Sequence, residues 1–355
     1  MTRRRVAVIE GEDAAPEAMR PSVALLEKMG LDIEWLHPPV GERGLEEHGA
    51  VFPEVAREAI DAADATFFGS TSGKSVAALF YLRWGKQTYA NVRPARFVPG
   101  YGSPLAHPEG IDFVIVRENL EDLYLGLEGP VEDLAPLALT SRTSRRPVSE
   151  MAPGRYALKV ISEEGSERVA RFSFELARRR REEGRPGRVT CATKHNMLPE
   201  SDGLFREITQ RVALDYPDVE LQSFIVDDFA HRMIVAPHEL DVVVTPNLYG
   251  DILSDAAAAL VGGLGLAASG CYGDDYAYFE SAHGTAPDIA GQGIINPTAT
   301  LLSAAMMLEY LGFEDASRQL TRALAQVYAD GRVLTPDQGG DATTAAFCDE
   351  VGRRL

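Results

Sequence analysis

The sequence predicts an α/β fold built on a largely parallel sheet. Short apolar stretches that end in glycine or charge alternate along the chain with stretches of helical periodicity, which is the pattern of successive βαβ units. The chain has 355 residues, of which 45% are hydrophobic, and this is enough for one large or two medium domains.

The predicted elements follow in chain order. The first strand lies in RVAVIEG, and the helix at 16–30 has Pro16 near its start and Gly30 at its end. Further buried strands are predicted at 65–70, 112–119, 188–193 and 241–245. A helix at 166–184 ends in an arginine run that is interpreted as a solvated face, and the apolar helix at 296–312 is expected in the core or at a subunit interface.

Residues 127–157 interrupt this alternation. The segment is rich in proline, serine and threonine and has no helical periodicity. It is interpreted as an excursion from the main sheet, in the form of an arm that pairs with a partner chain. The alternative is a surface hairpin.

Composition limits the classes of function. The net charge is −18, from 35 basic and 53 acidic residues, which argues against binding nucleic acid or anionic membranes. The three cysteines, at 191, 271 and 348, have no metal-ligand spacing and are typical of reduced thiols. The apolar run VAVI near the N-terminus is too short for a signal peptide, and no stretch reaches the length of a membrane span. We expect a cytoplasmic protein.

The stretch NLYGDILSD places Asp251 and Asp255 four residues apart after the apolar run DVVVT. On a helix both carboxylates share one face, where they repel each other unless a cation lies between them. Asp227 follows another apolar run, SFIV. The three aspartates are a candidate site for a hard divalent cation, and capping or solvated roles are the alternative.

Arginines form a second group of candidates. Arg83, Arg93 and Arg96 lie close together in sequence, and Arg117 ends a predicted strand. Because a guanidinium binds a carboxylate through two parallel hydrogen bonds, a convergent set would suit a di- or tricarboxylate. Lysine occurs at only five positions, so the alternative is that arginine is simply the default surface cation.

Two further segments carry possible chemistry. Lys194 follows a strand directly and could shuttle a proton, whereas His195 is a possible metal ligand or a structural histidine. GLGLAA at 263–268 is rejected as a dinucleotide motif because it follows a helix. The loop ESAHGTAPDIAGQGIINP at 280–297 could wrap a nucleotide, with Asp288 accepting from a ribose 2′-hydroxyl, which favours NAD over NADP.

Taken together, these segments resemble the metal-dependent β-decarboxylating dehydrogenases, namely the isocitrate, homoisocitrate and 3-isopropylmalate dehydrogenases. ANVRPA, VIVREN, NLYGDILSD, HGTAPDIAGQGIINP and LSAAMML occur in the family order over nearly the whole chain. GGDATT at 339–344 and LVGGLGLAASG at 260–270 look most like the homoisocitrate branch.

The resemblance implies the isocitrate/isopropylmalate dehydrogenase fold, which has two interleaved α/β domains and a dimerisation arm and is not a classical Rossmann fold. Residues 1–95 with 262–355 would form the larger domain, with most nucleotide contacts. Residues 96–261 would form the smaller domain, with the dimer interface and the arm at about 127–157. The implied assembly is a homodimer whose active sites are shared between subunits.

The resemblance also implies residue roles. Mg²⁺ or Mn²⁺ would bind Asp251 and Asp255 together with Asp227 of the other subunit. Tyr124 would protonate the product carbon, and Lys194, with Asp227 beside the reacting groups, would assist proton transfer across the dimer interface. The malate carboxylates would be held by arginines and the C3 group by apolar residues, namely Arg83, Arg93, Arg117, Leu79 and Phe80. NAD would contact His283, Gly284, Asp288, Ile289 and Asn296.

The chain departs from the family in three places. GEDAAPE at 11–17 has Asp13 and Ala15 where the family pattern GDGIGPE has glycine, which questions the backbone geometry near the nicotinamide. VDDFAHR changes the surroundings of Asp227. The segment at 69–83, which precedes and includes Arg83, is shorter than in relatives.

The third departure bears on the substrate. Phe80 stands close to where homoisocitrate enzymes carry an arginine, and Ala77 and Leu79 lie nearest to the serine and asparagine of isocitrate enzymes. Val76, Leu79 and Phe80 would form an apolar wall for the C3 group. Two alternatives stay open: Phe80 packs in the domain core, or Lys74 and Ser75 reach a distal anion.

The predicted function is NAD- and Mg²⁺- or Mn²⁺-dependent oxidative decarboxylation of a (2R,3S)-malate-type 2-hydroxy acid to a 2-oxo acid and CO₂. The C3 substituent is expected to be apolar, as in 3-isopropylmalate or another alkyl- or arylalkylmalate. The alternatives are homoisocitrate or isocitrate as substrate and, from another class, a non-catalytic regulatory or binding subunit of the family.

Overall fold

The computed structural model describes residues 3–355. Its main sheet has ten strands in the order β2-β1-β3-β12-β11-β4-β5-β10-β8-β9. The strand bounds are β1 Arg4–Ile9, β2 Ile33–Leu36, β3 Ala65–Phe68, β4 Ala90–Arg96, β5 Asp112–Glu118, β6 Glu128–Pro130, β7 Arg155–Ala157, β8 Arg188–Thr193, β9 Glu220–Ile225, β10 Val242–Thr245, β11 Ala268–Tyr272 and β12 Ala277–Ser281.

Eleven α-helices connect and cover these strands in the described part of the chain. Their bounds are α1 Ala15–Lys28, α2 Glu42–His48, α3 Glu54–Asp61, α4 Val76–Phe80, α5 Glu163–Glu182, α6 Ser201–Ala213, α7 Val226–Val235, α8 Asn247–Val261, α9 Thr298–Tyr310, α10 Glu314–Asp330 and α11 Thr344–Gly352. Among the residues from 3 onward, no helix is long and apolar enough to cross a membrane.

The expected parallel pairing is confirmed on both sides of the sheet, but the middle is antiparallel. β12 with β11, β11 with β4 and β4 with β5 all pair antiparallel, and the other six pairings are parallel. Three successive reversals make β1, β2, β3 and β12 run opposite to β5, β10, β8 and β9. The carboxyl ends of the two halves therefore lie at opposite ends of the sheet, which the apolar strand pattern alone did not predict.

The hydrophobic cores follow the two halves of the sheet. One cluster joins the N- and C-terminal parts of the chain and contains Leu301, Met307 and Leu308 of α9. Helix α9 therefore packs in the core of its own chain, which decides between the two environments predicted for it. Two other clusters fill the middle of the chain, around Phe174 of α5 and Phe229 of α7. All three cysteines are unpaired and buried.

The predicted excursion at 127–157 lies outside the main sheet. Its strands β6 and β7 form a separate two-stranded antiparallel sheet. Large apolar side chains of the segment face solvent in the single chain, including Leu137 at 63% and Met151 at 51% exposure. The arm therefore presents an apolar surface that its own chain does not cover.

The interpretation of the arginine run in α5 as a solvated face is wrong for Arg180. Its side chain is 12% exposed, and its Nε donates to Asp241 Oδ1 at 2.6 Å while its Nη2 lies 3.1 Å from Asp112 Oδ1. Asp241 Oδ2 also accepts from the Gly187 backbone N–H at 2.8 Å. Arg180 thus ties together the amino ends of β5, β8 and β10.

Two glycines allow the loops after β1 and β3 to cross. A Cβ on Gly11, whose φ is +78°, would lie 2.2 Å from the Ser70 carbonyl oxygen. A Cβ on Gly69 would lie 2.1 Å from the Glu10 carbonyl oxygen. Backbone cannot yield at such distances without shifting a loop, so both positions require glycine.

We expect Gly69→Ala to lower the free energy of unfolding by about 2–4 kcal/mol, because the added methyl group must displace the Glu10 backbone. Gly203→Ala in α6 is the matched control, since its Cβ would have no neighbour nearer than 4.0 Å. The control should gain about 0.5–1 kcal/mol from helix propensity. Urea unfolding measures both, and equal stabilities of the two variants would contradict the packing argument.

Candidate active site

Arginines and aspartates converge where helix α8 crosses strands β4 and β5. Arg93 Nη1 of β4 lies 3.4 Å from Asp251 Oδ1 and 3.5 Å from Asp255 Oδ1. Arg117, at the end of β5, forms an ion pair with Asp251 and donates from Nε to Asn247 Oδ1 at 2.7 Å. The approach depends on Gly250, where a Cβ would lie 2.6 Å from Arg117 Cβ.

The two aspartates of α8 share one face, as their spacing predicts, and Arg93 lies within reach of both. Burial opposes ionisation of Asp251, but Arg117, the Tyr124 hydroxyl and Arg93 outweigh it, so the pKa of Asp251 lies below its ordinary value. Burial raises the pKa of Asp255, and Asp251 adds to the shift while Arg93 opposes it. A guanidinium therefore relieves the like-charge repulsion within this chain.

The donor set suits a hard divalent cation. The side chains of Asp251 and Asp255 are 34% and 51% exposed and offer oxygen ligands, which Mg²⁺ and Mn²⁺ prefer. Asp227 lies on another helix, α7, where its carboxylate pairs with Lys194. Over residues 3–355, no three His, Cys, Asp or Glu side chains of the single chain form a group that could hold a metal. The chain brings two of the three predicted ligands together.

Tyr124 joins this cluster. Its hydroxyl donates to Asp251 Oδ2, and the Arg117 guanidinium lies 5.0 Å from its ring centroid. Burial, together with the hydrogen bond to Asp251, raises the pKa of Tyr124, so the phenol is protonated at neutral pH. The side chain is 37% exposed, which leaves it accessible as a proton donor.

Arg83 approaches from the π-helical turn Tyr81–Gly85 that continues α4. Its Nε donates to Tyr278 Oη at 3.1 Å, and its Nη2 lies 3.8 Å from Glu280 Oε1. Burial raises the pKa of Glu280, and Arg83 opposes that shift. Sequence reasoning missed Tyr278 and Glu280; their only signal was a polar group inside the apolar strand AYFES.

The surface alternative is wrong for three of the four candidate arginines. The side chains of Arg83, Arg93 and Arg117 are 13%, 8% and 2% exposed. It is right for Arg96, which is 59% exposed and pairs with Asp112 at the other end of β5. Three guanidinium groups are therefore held in one buried cluster.

The segment before Arg83 presents an apolar surface. Phe80 is 51% exposed and packs edge-on against Trp84 with ring centroids 5.1 Å apart, so the alternative that it fills the core is wrong. Leu79 is half-buried against a core cluster. Lys74 Nζ lies 2.9 Å from Glu42 Oε1, and Ser75 donates to Glu12. In this conformation, the proposed anion-binding groups are therefore engaged with other partners.

Lys194 and Asp227 form a separate pair beyond β10. Lys194 follows β8, Asp227 opens α7, and their side chains make an ion pair. A hydrogen bond from Lys194 lowers the pKa of Asp227. His195 Nδ1 lies 2.9 Å from Thr193 Oγ1, which fits the structural role. The structure thus places these two predicted catalytic residues together but away from the Asp251 cluster of the same chain.

The changed surroundings of Asp227 concern the surface. Arg232 donates to Asp228 Oδ2 at 2.9 Å across one helical turn, and His231 is exposed. Asp228 therefore pairs with Arg232 and not with Lys194 or Asp227.

The loop at 282–296 offers free groups for a nucleotide. Burial lowers the pKa of His283, whose Nδ1 lies 2.8 Å from the Gly284 carbonyl oxygen. His283 Nε2 is buried and has no hydrogen-bond partner among residues 3–355, as expected of a group that meets a ligand. Gly284 and Asp288 are exposed, and the α8 residue Asp255 is close enough to influence the His283 charge.

Asn296 differs from the other predicted cofactor residues. It is 4% exposed; its Nδ2 donates to Asp337 Oδ2 at 2.9 Å, and its Oδ1 accepts from the Thr298 N–H at 3.0 Å. The side chain thus fixes the start of α9. A contact between Asn296 and a cofactor would therefore involve its backbone, because its side chain is already hydrogen-bonded.

The altered GEDAAPE loop keeps the backbone that glycine would favour. Asp13 has φ +55°, a left-handed conformation that aspartate tolerates better than most residues, and Ala15 simply begins α1. Glu12 Oε2 accepts from Thr71 Oγ1 and from the Ser72 N–H, both at 2.7 Å. Asp13 thus adopts a backbone conformation of the kind that glycine readily adopts.

Helix α1 is hydrogen-bonded to the loop at 282–296. The Glu17 carboxylate accepts from the backbone N–H groups of Gly291 and Gly293, the latter at 2.5 Å. Ala14 N–H donates to the Thr285 carbonyl at 3.0 Å. Ile289, another predicted cofactor residue, packs partly buried against a small core on the same side.

Comparison with known proteins agrees over the whole chain. Residues 5–354 match the family model described as isocitrate/isopropylmalate dehydrogenase. The chain is 40% identical to the 3-isopropylmalate/3-methylmalate dehydrogenase of Methanocaldococcus jannaschii, covering 99% of this chain and 98% of the relative. It is 42% identical to the isocitrate/homoisocitrate dehydrogenase of Thermus thermophilus, with the same two coverages.

A solved structure confirms the fold. The crystal structure of isocitrate dehydrogenase from Methylococcus capsulatus superposes with a TM-score of 0.85 at 36% identity and covers 99% of each chain. The relatives named for different substrates have similar identities, so identity alone does not select the substrate. The chain belongs to the isocitrate/isopropylmalate dehydrogenase family, a family of oxidatively decarboxylating dehydrogenases.

Proposed function

We propose that the protein oxidatively decarboxylates a 3-substituted (2R,3S)-malate with an apolar C3 substituent, using NAD and Mg²⁺ or Mn²⁺. The observation that carries the proposal is the buried cluster of Arg83, Arg93 and Arg117 facing Asp251 and the Tyr124 hydroxyl. Three fixed guanidinium groups suit the carboxylates of malate, and a protonated phenol beside them suits delivery of a proton to carbon.

The apolar C3 group is supported by the surface next to Arg83. Phe80 is exposed there, and the only lysine of segment 69–83, Lys74, is held by Glu42. A pocket of this kind leaves a third carboxylate without a cation, and burying an unpaired charge is costly. Homoisocitrate and isocitrate are therefore the less favoured substrates.

The mechanism assigns one task to each group. The divalent cation, when bound at Asp251 and Asp255, would supply Lewis acidity toward the 2-hydroxyl group and later toward the 2-oxo group, and NAD would accept the hydride. The arginines would bind the C1 and β-carboxylates and so orient the substrate. Lys194 is suited to accept the hydroxyl proton. After CO₂ leaves, Tyr124 donates its proton to C3.

The separation of Lys194 and Asp227 from the Asp251 cluster supports a shared site in a homodimer. α7 exposes Ile234 and Val235 at 53% and 62%, and α8 exposes Ile252 at 60%. Together with the apolar arm, these residues form a surface that a second copy would bury. In such a dimer, Lys194 and Asp227 of one copy would complete the Asp251 site of the other, and the two domains would be 1–95 with 262–355 and 96–261.

A non-catalytic subunit is the competing proposal, and its main support was the altered glycine loop. Asp13 adopts a left-handed backbone, as glycine readily does, which weakens that support. Purified protein with NAD⁺ and Mn²⁺ tests the two proposals on 3-isopropylmalate, benzylmalate, homoisocitrate and isocitrate. We expect kcat/KM to be at least about tenfold higher for the apolar substrates. NADH formation from none of them would favour the non-catalytic subunit.

Phe80 should control the choice of C3 substituent. Phe80→Arg should lower kcat/KM for 3-isopropylmalate about 10–100-fold and raise it about tenfold for homoisocitrate, because the variant supplies a cation for the third carboxylate. Phe80→Leu keeps the surface apolar and is the control. It should change kcat/KM for either substrate by no more than about threefold. Parallel responses of both substrates to Phe80→Arg would place the C3 group elsewhere.

Asp288 should control the choice between the two nicotinamide cofactors. Asp288 is exposed and would repel a 2′-phosphate, so Asp288→Lys should reduce the preference for NAD⁺ over NADP⁺ at least about tenfold. Asp349→Lys changes the net charge equally on the exposed face of α11 and serves as the control. The ratio of kcat/KM values for the two cofactors is the measurement; an unaltered ratio in Asp288→Lys would remove Asp288 from the cofactor site.

A further inference from the structure

Lys159 is a largely buried lysine to which no site role is assigned above. It follows β7, its side chain is 13% exposed, and its ammonium lies between two fully buried carboxylates. Nζ is 2.6 Å from Asp202 Oδ1, 3.4 Å from Asp122 Oδ1 and 4.4 Å from the Tyr249 ring centroid. Neither Oδ1 atom has a hydrogen-bond partner among residues 3–355, so the ammonium is the cation that pairs with both, and its Nζ also donates to the Tyr249 hydroxyl at 3.4 Å.

The second oxygen of Asp122 is hydrogen-bonded to the start of helix α8, which carries Asp251. Asp122 Oδ2 accepts from the Leu248 N–H at 2.9 Å, in the first turn of the helix that carries Asp251 and Asp255. Asp122 itself immediately precedes the 3₁₀ turn Leu123–Leu125 that presents Tyr124, and its φ is +72°. Its position thus sets both the turn and the helix start.

The second oxygen of Asp202 is hydrogen-bonded to the backbone of Lys194, another predicted catalytic residue. Asp202 lies in the first turn of α6, and its Oδ2 accepts from the backbone N–H of Lys194 at 2.6 Å. The Lys159 ammonium is therefore the shared partner of two carboxylates, one fixing the backbone around Tyr124 and the other fixing the backbone at Lys194.

We propose that Lys159 is a positioning residue that holds both the Tyr124 turn of its own site and the backbone of Lys194, which in the proposed dimer serves the site of the other copy. The proposal rests on the proposed function, in which both residues move protons. Without the ammonium, two desolvated carboxylates face each other unpaired and must separate or admit water. Because their other oxygens hold the catalytic segments, that displacement reaches Tyr124 and Lys194 directly.

The competing explanation is an ordinary stabilising ion pair, and the chain contains a matched control for it. Arg180 bridges the buried Asp112 and Asp241 at the amino ends of β5 and β10 with 12% exposure, and Asp241 also accepts a backbone hydrogen bond. This cluster likewise places one largely buried cation between two aspartates, although Asp112 also pairs with Arg185 and Arg96. Of the candidate site residues, only the exposed Arg96 contacts it, at the end of β5 away from Asp251.

The test compares Lys159→Met with Arg180→Met in the 355-residue chain, with NAD⁺, Mn²⁺ and 3-isopropylmalate as substrate. Lys159→Met should lower kcat about 10²-fold and change the substrate KM less than about threefold, because it misplaces Tyr124 and Lys194 without touching the binding arginines. Arg180→Met should lower Tm at least as much yet keep kcat within about threefold. Equal kcat losses in the two variants overturn the proposal.

Hydrogen exchange gives a readout that does not need activity. Lys159→Met should speed exchange in 120–125, 194–202 and 246–249 together, whereas Arg180→Met should speed it around 187–188. Wild-type protection of the first three segments in Lys159→Met overturns the proposal. Failure of the wild type to oxidise any 3-substituted malate would sink the proposed function, and exchange would still decide the role of Lys159.

A second variant covers the case in which Lys159→Met does not fold. Lys159→Arg keeps the charge but replaces a compact ammonium by a wider planar group, so both carboxylates shift. We expect a kcat loss of about tenfold at unchanged KM. Wild-type kcat in Lys159→Arg, with unaltered exchange in the same segments, counts against the assignment.

Discussion

The ion pair between Arg117 and Asp251 is the contact on which the site depends. It joins the end of β5 to α8, and both partners have further neighbours: Arg117 binds Asn247, and Asp251 binds Arg93 and Tyr124. Removing one member of such a buried network leaves the others charged and unpaired, which is destabilising by several kcal/mol. The same contact that seats α8 on the sheet therefore also aims the phenol and the two helix carboxylates at one space.

Much of this arrangement could be predicted from sequence because it follows from local periodicity. Asp251 and Asp255 are one helical turn apart, and the apolar runs of β1, β3, β5, β8 and β10 are typical of buried parallel strands. The antiparallel strands β4 and β11 were not predicted, since β4 is interrupted by Arg93 and Pro94 and β11 contains Ser269 and Gly270. Contacts between distant segments, such as Arg83 with Glu280 or Arg180 with Asp241, have no local signal at all.

The loop after β1 shows how aspartate can occupy a left-handed backbone position. Aspartate at φ +55° costs about 1 kcal/mol relative to glycine, which neighbouring contacts can offset. Glu12 and Glu17 provide such contacts. Glu12 accepts hydrogen bonds from the loop after β3, and Glu17 accepts hydrogen bonds from backbone N–H groups of the loop at 282–296. A motif comparison registers only the missing glycine, whereas the compensation lies in carboxylates that bind backbone and hydroxyl groups elsewhere.

The sealed cysteines have a practical consequence. Burial raises the pKa of Cys191 to about 12, of Cys271 to about 11 and of Cys348 to about 12, so thiolate is scarce at neutral pH. Each thiol belongs to a different hydrophobic cluster. An alkylating reagent would therefore modify these thiols only during transient local opening of the structure. The three labelling rates would then report how often each of the three hydrophobic clusters opens.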